Sequence, residues 1–301
     1  SVKYKALGMA ALVLMICCTL AVSALERQTG VTRYHQHLSA EVPRETCACD
    51  GTELCTHLPI IRITTGGQEI PGNVIRDETD TVIGYTTTPE GEAEIVVTLE
   101  TVEREGVWHH ASDAADQAAT ALFRIRGNSS RSFDKKNYRI KLVTDETAAE
   151  NLDLSLLGMN PDNDWALHGP YLDKTLMRNY MWYNIAGEMM DYAPNVRFCE
   201  VILNGEYQGL YVMVETITNG VDCRVNVSEP VDNTTSTGYV LRLDRGSENE
   251  LKNLNNFTNY TYRIGPLHHI KVNIVYPRSG ALTKEMADAI EQDLSDFEKA
   301  L

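Results

Sequence analysis

Basic residues are scarce in this chain. Over 301 residues, 27 Lys+Arg stand against 42 Asp+Glu, for a formal net charge of −15. That deficit excludes a general nucleic-acid binder, because polyanions are held by surfaces rich in lysine and arginine. Lysine is missing altogether from Glu26 to Leu122, where 17 acids and 6 arginines leave a net of −11. Common catalytic signatures are missing too. There is no Gly-x-x-x-x-Gly-Lys-Ser/Thr run and no Gly-x-Gly-x-x-Gly after a strand, which excludes P-loop, dinucleotide and ordinary kinase glycine loops. Neither a Gly-x-Ser-x-Gly elbow nor a His-Glu-x-x-His helix occurs, and no internal repeat is visible.

What is present is globular in bulk and uneven in detail. Hydrophobic residues make up 43 % and charged residues 23 %, a balance that excludes disorder and collagen-like sequence. The length admits one large domain or two ordinary ones. Against the acidic background, Phe123 to Leu142 holds seven bases (Arg124, Arg126, Arg131, Lys135, Lys136, Arg139, Lys141) and one acid, Asp134, for a net of +6.

At the start, Lys3 and Lys5 precede an uncharged apolar run, residues 6–25, long enough to cross the roughly 30 Å core of a bilayer. Residues 1–25 read as a transmembrane signal anchor, or as a signal peptide cut after Val22-Ser23-Ala24. Either reading puts the remainder outside the cytoplasm, membrane-anchored through residues 6–25 or secreted. Residues 26–57 read as a polar stalk with a cysteine cluster. Besides Cys17 and Cys18, the chain has Cys47, Cys49, Cys55, Cys199 and Cys223. Export favours disulfides, and an odd number leaves one thiol over. The run Cys47–Cys55 could be a zinc knuckle, but it lacks two well-spaced pairs and His57 alone does not complete a site. Disulfide pairing is therefore the preferred reading and no metal ligand is assigned. His109-His110 and His268-His269 are adjacent pairs that point apart on a strand.

The rest reads as α+β. Residues 58–122 form a β-rich region with strands at Leu58–Ile63 and Glu94–Glu100, while Trp108 to Thr120 stays ambiguous between loop and helix. In Phe123-Arg124-Ile125-Arg126 and Asn137-Tyr138-Arg139-Ile140-Lys141-Leu142, alternation puts the apolar side chains on one face. Arg124, Arg126, Arg139 and Lys141 share the other, and Gly127-Asn128-Ser129-Ser130 reads as the turn between. A strand at 163–168, a helix over about 174–190 capped by Asp173, and a hairpin with Asn204-Gly205 at its turn follow. A strand at 238–244 comes next. Last is a helix capped by Thr283, with Ala287, Ile290, Leu294, Phe297 and Leu301 on one buried face. It ends without a stop signal, so both termini read as cuts in a longer product. The island has the ingredients of a phosphate site, with turn N–H groups and hydroxyls beside arginine and lysine. A solvated basic face, or a clamp for the acidic front region, is the competing reading.

The run Arg126-Gly127-Asn128-Ser129-Ser130-Arg131-Ser132-Phe133-Asp134-Lys135-Lys136-Asn137-Tyr138-Arg139-Ile140-Lys141-Leu142 closely resembles the signature of the spore-coat protein CotH family. Three later segments resemble it in the same order: Asp164-Trp165-Ala166-Leu167 leading to Asp173-Lys174-Thr175-Leu176-Met177-Arg178-Asn179, then Leu203-Asn204-Gly205-Glu206-Tyr207 onward to Glu215, then Gly238-Tyr239-Val240-Leu241. The resemblance covers roughly residues 58–301. It implies an atypical, secretory-type protein kinase that moves phosphate from ATP to Ser/Thr hydroxyls of a protein substrate. It also implies a divergent protein-kinase-like fold, here over residues 123–301.

Carried over by position, Lys141 is the catalytic lysine that contacts ATP phosphates. Gly127, Asn128, Ser129 and Ser130 lie near those phosphates with Arg126, Glu188 orients the lysine, and Glu215 sits near the adenine hinge. The resemblance places the magnesium-binding aspartates in a segment beyond the final helix. This chain lacks that segment, so the kinase-like domain is expected to be incomplete at its C-terminus and inactive as it stands. A non-catalytic adhesion or structural protein of the cell or spore surface is the alternative. Five Asn-x-Ser/Thr sequons begin at Asn128, Asn226, Asn233, Asn256 and Asn259, and a glycan at Asn128 would block the signature turn.

Overall fold

The computed structural model describes residues 12–18, 36, 42–190, 192–219, 225–244, 250–254 and 271–300. A short helix α1 covers residues 12–18. Then come β1 (Cys55–Thr56), β2 (Ile60–Thr64), β3 (Val74–Arg76), β4 (Val82–Tyr85), β5 (Ile95–Val102), β6 (His109–His110), β7 (Gln117–Arg126), β8 (Asn137–Val143) and β9 (Asp164–His168). Helix α2 (Arg178–Met189) is followed by β10 (Val196–Leu203), β11 (Glu206–Glu215), β12 (Val240–Asp244), β13 (Asn253–Leu254), β14 (Lys271–Tyr276) and α3 (Lys284–Ala300). The architecture is α+β and rich in strands.

Seven strands close into a barrel in the order β10-β11-β9-β8-β7-β5-β2. Strands β2 and β5 precede residue 123 and β7 straddles it. Closure comes from a parallel contact between β2 and β10, Ile60↔Glu200 through Ile63↔Leu203, and the other neighbours in the ring are antiparallel. A closed ring has no unpaired edge to protect. The period of two sends Phe123, Ile125, Tyr138, Ile140, Leu142, Trp165 and Leu167 into one buried core, where Phe123 and Tyr138 stack at 4.7 Å. Between β10 and β11 the turn is the expected Asn204-Gly205 pair, with φ of +51° and +83°, the left-handed angles a type I′ hairpin requires.

The stretch left ambiguous at 108–120 holds no helix: two strand pieces, 109–110 and 117–120, flank a turn and bend over 111–116. His109–His110 pair with β1, and β7 begins at Gln117 because Ala118 and Ala119 find partners on β5. Outside the barrel, α2 rests Tyr180 and Tyr183 on Ala166, Val196, Val212 and Val214. It starts four residues later than expected: Leu176 takes φ +63°, and Asp173 reaches over that kink to accept from Arg178 N at 2.8 Å. A second core joins β13 and β14 to α3 through Leu254, Val272, Ile274, Met286 and Ile290. Thr283 Oγ1 caps α3 by accepting from Met286 N at 3.2 Å. Ala287 and Ile290 are buried as expected, but Phe297 is 60 % exposed. Leu301 lies outside the described residues.

Among the described residues no helix is long and apolar enough to cross a membrane. Of the apolar run only 12–18 is described, so the anchor expected over 6–25 finds no support. The expected cleavage point lies outside the described residues, as does Cys223. Among the described residues Cys47, Cys49, Cys55 and Cys199 are unpaired, so the expected disulfides are not seen there. Cys199 is sealed in the barrel core and the other three sulfurs gather around His110. Residues 42–57 lie against the following loop, with Trp108 Nε1 donating to Glu45 O at 2.6 Å and Ser112 Oγ to Glu53 Oε1 at 2.8 Å.

Phe123→Ala removes a fully buried ring from the barrel centre and is expected to cost about 3–5 kcal/mol. Urea unfolding measures this, and a loss below about 1 kcal/mol would contradict the packing.

Candidate functional site

The outward face of β7, β8 and β9 decides which cations of the basic island are available. Arg124 and Arg139 are directly opposite in register, an arrangement of like charges that is unfavourable without a counter-ion. Glu94 Oε1 supplies it, accepting from Arg124 Nε at 2.9 Å and from Arg139 Nη1 at 3.0 Å. Arg139 also grips Asp164 with two parallel bonds, Nε to Oδ1 and Nη2 to Oδ2, both 3.0 Å. That grip and the charges of Asp164 and Glu94 raise the Arg139 pKa above its ordinary value.

Three further bases hold the turn. Arg131 is buried, donates to Gly127 O at 2.6 Å and Gly72 O at 2.7 Å, and lies 4.2 Å over the Tyr85 ring. Lys136 Nζ donates to Arg131 O at 2.7 Å, and Lys135 Nζ to Gln208 O at 3.2 Å. These contacts bend Gly127–Ser132 into a tight loop in which Gly127 has φ +113° and a Cβ would meet Ser130 Oγ at 2.0 Å. Only glycine fits there. Two bases of the seven, Arg126 and Lys141, have side chains that make no hydrogen bond or ion pair with any described residue, though their main chains pair in the sheet.

Arg126 reaches into a cavity of about 340 Å³ on the barrel's outer side. The apolar walls are Ala166, Val214, Ile217, Val240, Leu241 and Val275, with Tyr183 from α2; Glu215, Thr216 and Arg242 add polar groups. Burial lowers the Arg126 pKa, opposed by Tyr183 and Asp164 and assisted by Arg124 and Arg139, though a guanidinium stays charged at any physiological pH. Glu215 is 2 % exposed and accepts from Asn195 N at 2.8 Å, while its own N–H donates to Asn195 O at 3.1 Å. The carboxylate thus fixes the strand end from which Thr216 and Ile217 pass along the cavity. Thr216 Oγ1 secures that passage by donating to Asp164 O at 3.0 Å. A second cavity, of about 320 Å³, lies beside His109 and Arg197. Three of its ionisable groups are committed: His109 Nδ1 to Leu58 O at 2.9 Å, and Arg197 to Glu103 at 3.0 Å.

Residues 123–267 match the family model described as CotH kinase protein. This segment belongs to the CotH kinase family. No curated protein matches the chain. The CotH segment supplies β8 to β11 and α2 entire, the end of β7, and most of the cavity wall.

The site residues expected from the resemblance are distributed unevenly. Arg126 and Glu215 meet at the cavity. Gly127, Asn128, Ser129 and Ser130 form the loop that follows Arg126, but none lines the cavity. Lys141 is half-buried on the outer face, opposite Asp164 in register and away from the cavity lining. Glu188 is exposed near the end of α2 and, like Lys141, is not part of the cavity lining. Sequence reasoning missed Glu94 and Asp164 as the acids that neutralise the island. The signal was available, since two arginines facing each other across a strand pair demand a shared acid.

Glu94→Ala leaves Arg124 and Arg139 in mutual repulsion. It is expected to destabilise the chain by about 1–2 kcal/mol, less than a fully buried pair would lose because both arginines are partly exposed. Denaturation at low and high salt checks this: the deficit shrinks as salt screens the pair.

Proposed function

We propose that the Arg126–Glu215 cavity is the nucleotide site of a CotH-type phosphotransferase, which moves phosphate from ATP to Ser/Thr hydroxyls of a protein outside the cytoplasm. The observation that supports it most is the Arg126 guanidinium, whose side chain makes no ion pair with a described residue, at a largely apolar cavity lined mostly by the CotH segment. A planar heterocycle suits walls of valine, leucine, isoleucine and tyrosine. An arginine whose side chain has no ion pair among the described residues suits a phosphate oxygen, which it can grip with two N–H groups. ATP, when bound, supplies the transferable phosphoryl group, and what the protein must add is alignment and charge neutralisation.

In this reading Arg126 neutralises phosphate and Thr216-Ile217 serve as the hinge edge held by Glu215. The Gly127–Ser130 loop closes over the phosphates, and Lys141 and Glu188 join the site in a kinase-like arrangement only if α2 moves towards β8. Magnesium has no obvious ligand at the cavity, because Asp164 is gripped by Arg139 and Glu215 by Asn195. A non-catalytic surface role is the second reading, favoured by the five island bases engaged in structural contacts.

Calorimetric titration with magnesium ATP tests the site. Arg126→Ala is expected to weaken binding about tenfold or more, equivalent to about 1.4 kcal/mol or more. Failure of the intact chain to bind nucleotide would reject the reading. Independently, His168 has a pKa lowered by burial and by the Arg126 charge. A bound phosphate offsets that charge, so the imidazole resonance is expected to titrate at higher pH with nucleotide present. Where the full reaction is observed as magnesium-dependent autophosphorylation, Lys141→Ala should abolish it, and unchanged activity would remove Lys141 from the site.

A further inference from the structure

Well away from the cavity, the acidic front region gathers ligand-type side chains that the phosphotransfer reading does not use. The sulfurs of Cys47, Cys49 and Cys55 and a ring nitrogen of His110 all lie within 4.8 Å of one another. Two local structures bring them together. Strand β1 pairs antiparallel with β6, and Cys55 stands opposite His110 in that register, so their side chains share a face. The preceding loop returns over this ribbon and sets Cys47 Sγ 3.3 Å from His110 Nε2. Between Cys49 and Cys55 the chain reverses at Gly51, with φ +74°, braced by Asp50 Oδ1 accepting from Thr52 N at 3.0 Å and Thr52 Oγ1 at 2.6 Å.

The spacing suits a tetrahedral ion. With Zn–S near 2.3 Å and Zn–N near 2.0–2.1 Å, ligand atoms in a closed site stand about 3.5–3.8 Å apart. A disulfide requires two sulfurs about 2.05 Å apart and leaves the third cysteine over, whereas all three are free thiols. The histidine is also oriented for the task. Its Nε2 faces the sulfurs while Nδ1 lies 3.9 Å from Asp113 Oδ1, and Asp113 Oδ2 accepts from His110 N at 3.0 Å. At 3.9 Å the ring contact is not a hydrogen bond, but a small turn of the Asp113 side chain would make the carboxylate–imidazole contact that commonly supports a zinc-bound histidine. His109, next in sequence, turns the other way, to Leu58 O.

We propose that Cys47, Cys49, Cys55 and His110 form a structural Cys₃His site for one zinc ion. Three thiolates and an imidazole select zinc over magnesium or calcium, and four protein ligands leave no open position for chemistry. On binding, three S–H protons pass to solvent as three Zn–S bonds form. The ion fastens the 42–57 segment to the β5–β7 connection. That connection is tied in turn to the barrel by Arg62 Nη1, which donates to Ala111 O at 3.0 Å and Asp113 O at 2.7 Å.

The test uses the full chain prepared with reductant and without chelator. Native mass spectrometry is expected to show one zinc per chain, and Cys47, Cys49 and Cys55 are expected to alkylate only after the metal is chelated. Exchange with cobalt(II) should give the visible d–d and sulfur-to-metal bands of a tetrahedral thiolate site. His110→Ala should lose those bands, Asp113→Asn should lower zinc affinity about 10- to 100-fold, and His57→Ala should keep the metal. A metal-free chain with a disulfide between any two of the three cysteines would overturn the proposal. So would full zinc affinity in His110→Ala. The wild-type mass, alkylation and cobalt measurements decide the matter even if a variant fails to fold.

Discussion

Two arginines, Arg124 and Arg139, face each other across neighbouring strands, and the organisation of the outer barrel face follows from how that repulsion is relieved. A single carboxylate oxygen of Glu94 accepts from both, and Asp164 takes the remaining fork of Arg139. Glu94 comes from the acidic front region, at the threshold of β5. The acidic front region and the basic island therefore meet through Glu94. Arg126 lies two residues beyond Arg124 along β7, where it feels the charge of Asp164 but forms no ion pair with Asp164 or Glu94. It is the cation that the proposed nucleotide site would use.

Local signals were readable in the sequence wherever a few neighbouring residues determined the outcome. Asn204-Gly205 dictated its turn, alternation in 123–126 and 137–142 dictated which side chains entered the core, and Thr283 marked the start of α3. Barrel closure was not readable, because it depends on Ile60–Ile63 meeting Glu200–Leu203 some 140 residues later in parallel register. No local pattern encodes that meeting. The helix start was misplaced for a similar reason: a side chain at Asp173 caps across a left-handed residue instead of from the adjacent position.

The site was legible in the same partial way. The family signature located the strands and the loop, and Arg126 and Glu215 share a cavity. Yet the signature says nothing of which bases are already spoken for by Glu94, Asp164, Gly72 or Gln208. That depends on partners drawn from both earlier and later in the chain. The cysteine cluster shows the limit most clearly. Within its own neighbourhood only His57 was in view, whereas the fourth group, His110, arrives through the pairing of β1 with β6.

Strand β5 connects these two features. It is eight residues long, about 27 Å at the usual rise of an antiparallel strand. At one end Glu94 holds the two arginines; just past the other, Glu103 pairs with Arg197 at 3.0 Å and the chain enters the loop leading to His110. Because side chains alternate with a period of two, a slip of one residue in β5 would turn its buried set outward. The same slip would withdraw Glu94 from Arg124 and Arg139 and pull the His110 loop out of line with Cys55. The register of one central strand therefore constrains both the cation arrangement on the outer face and the thiol cluster beyond it. In this respect the front region is a working part of the barrel, since removing it would leave the basic island with its charges uncompensated.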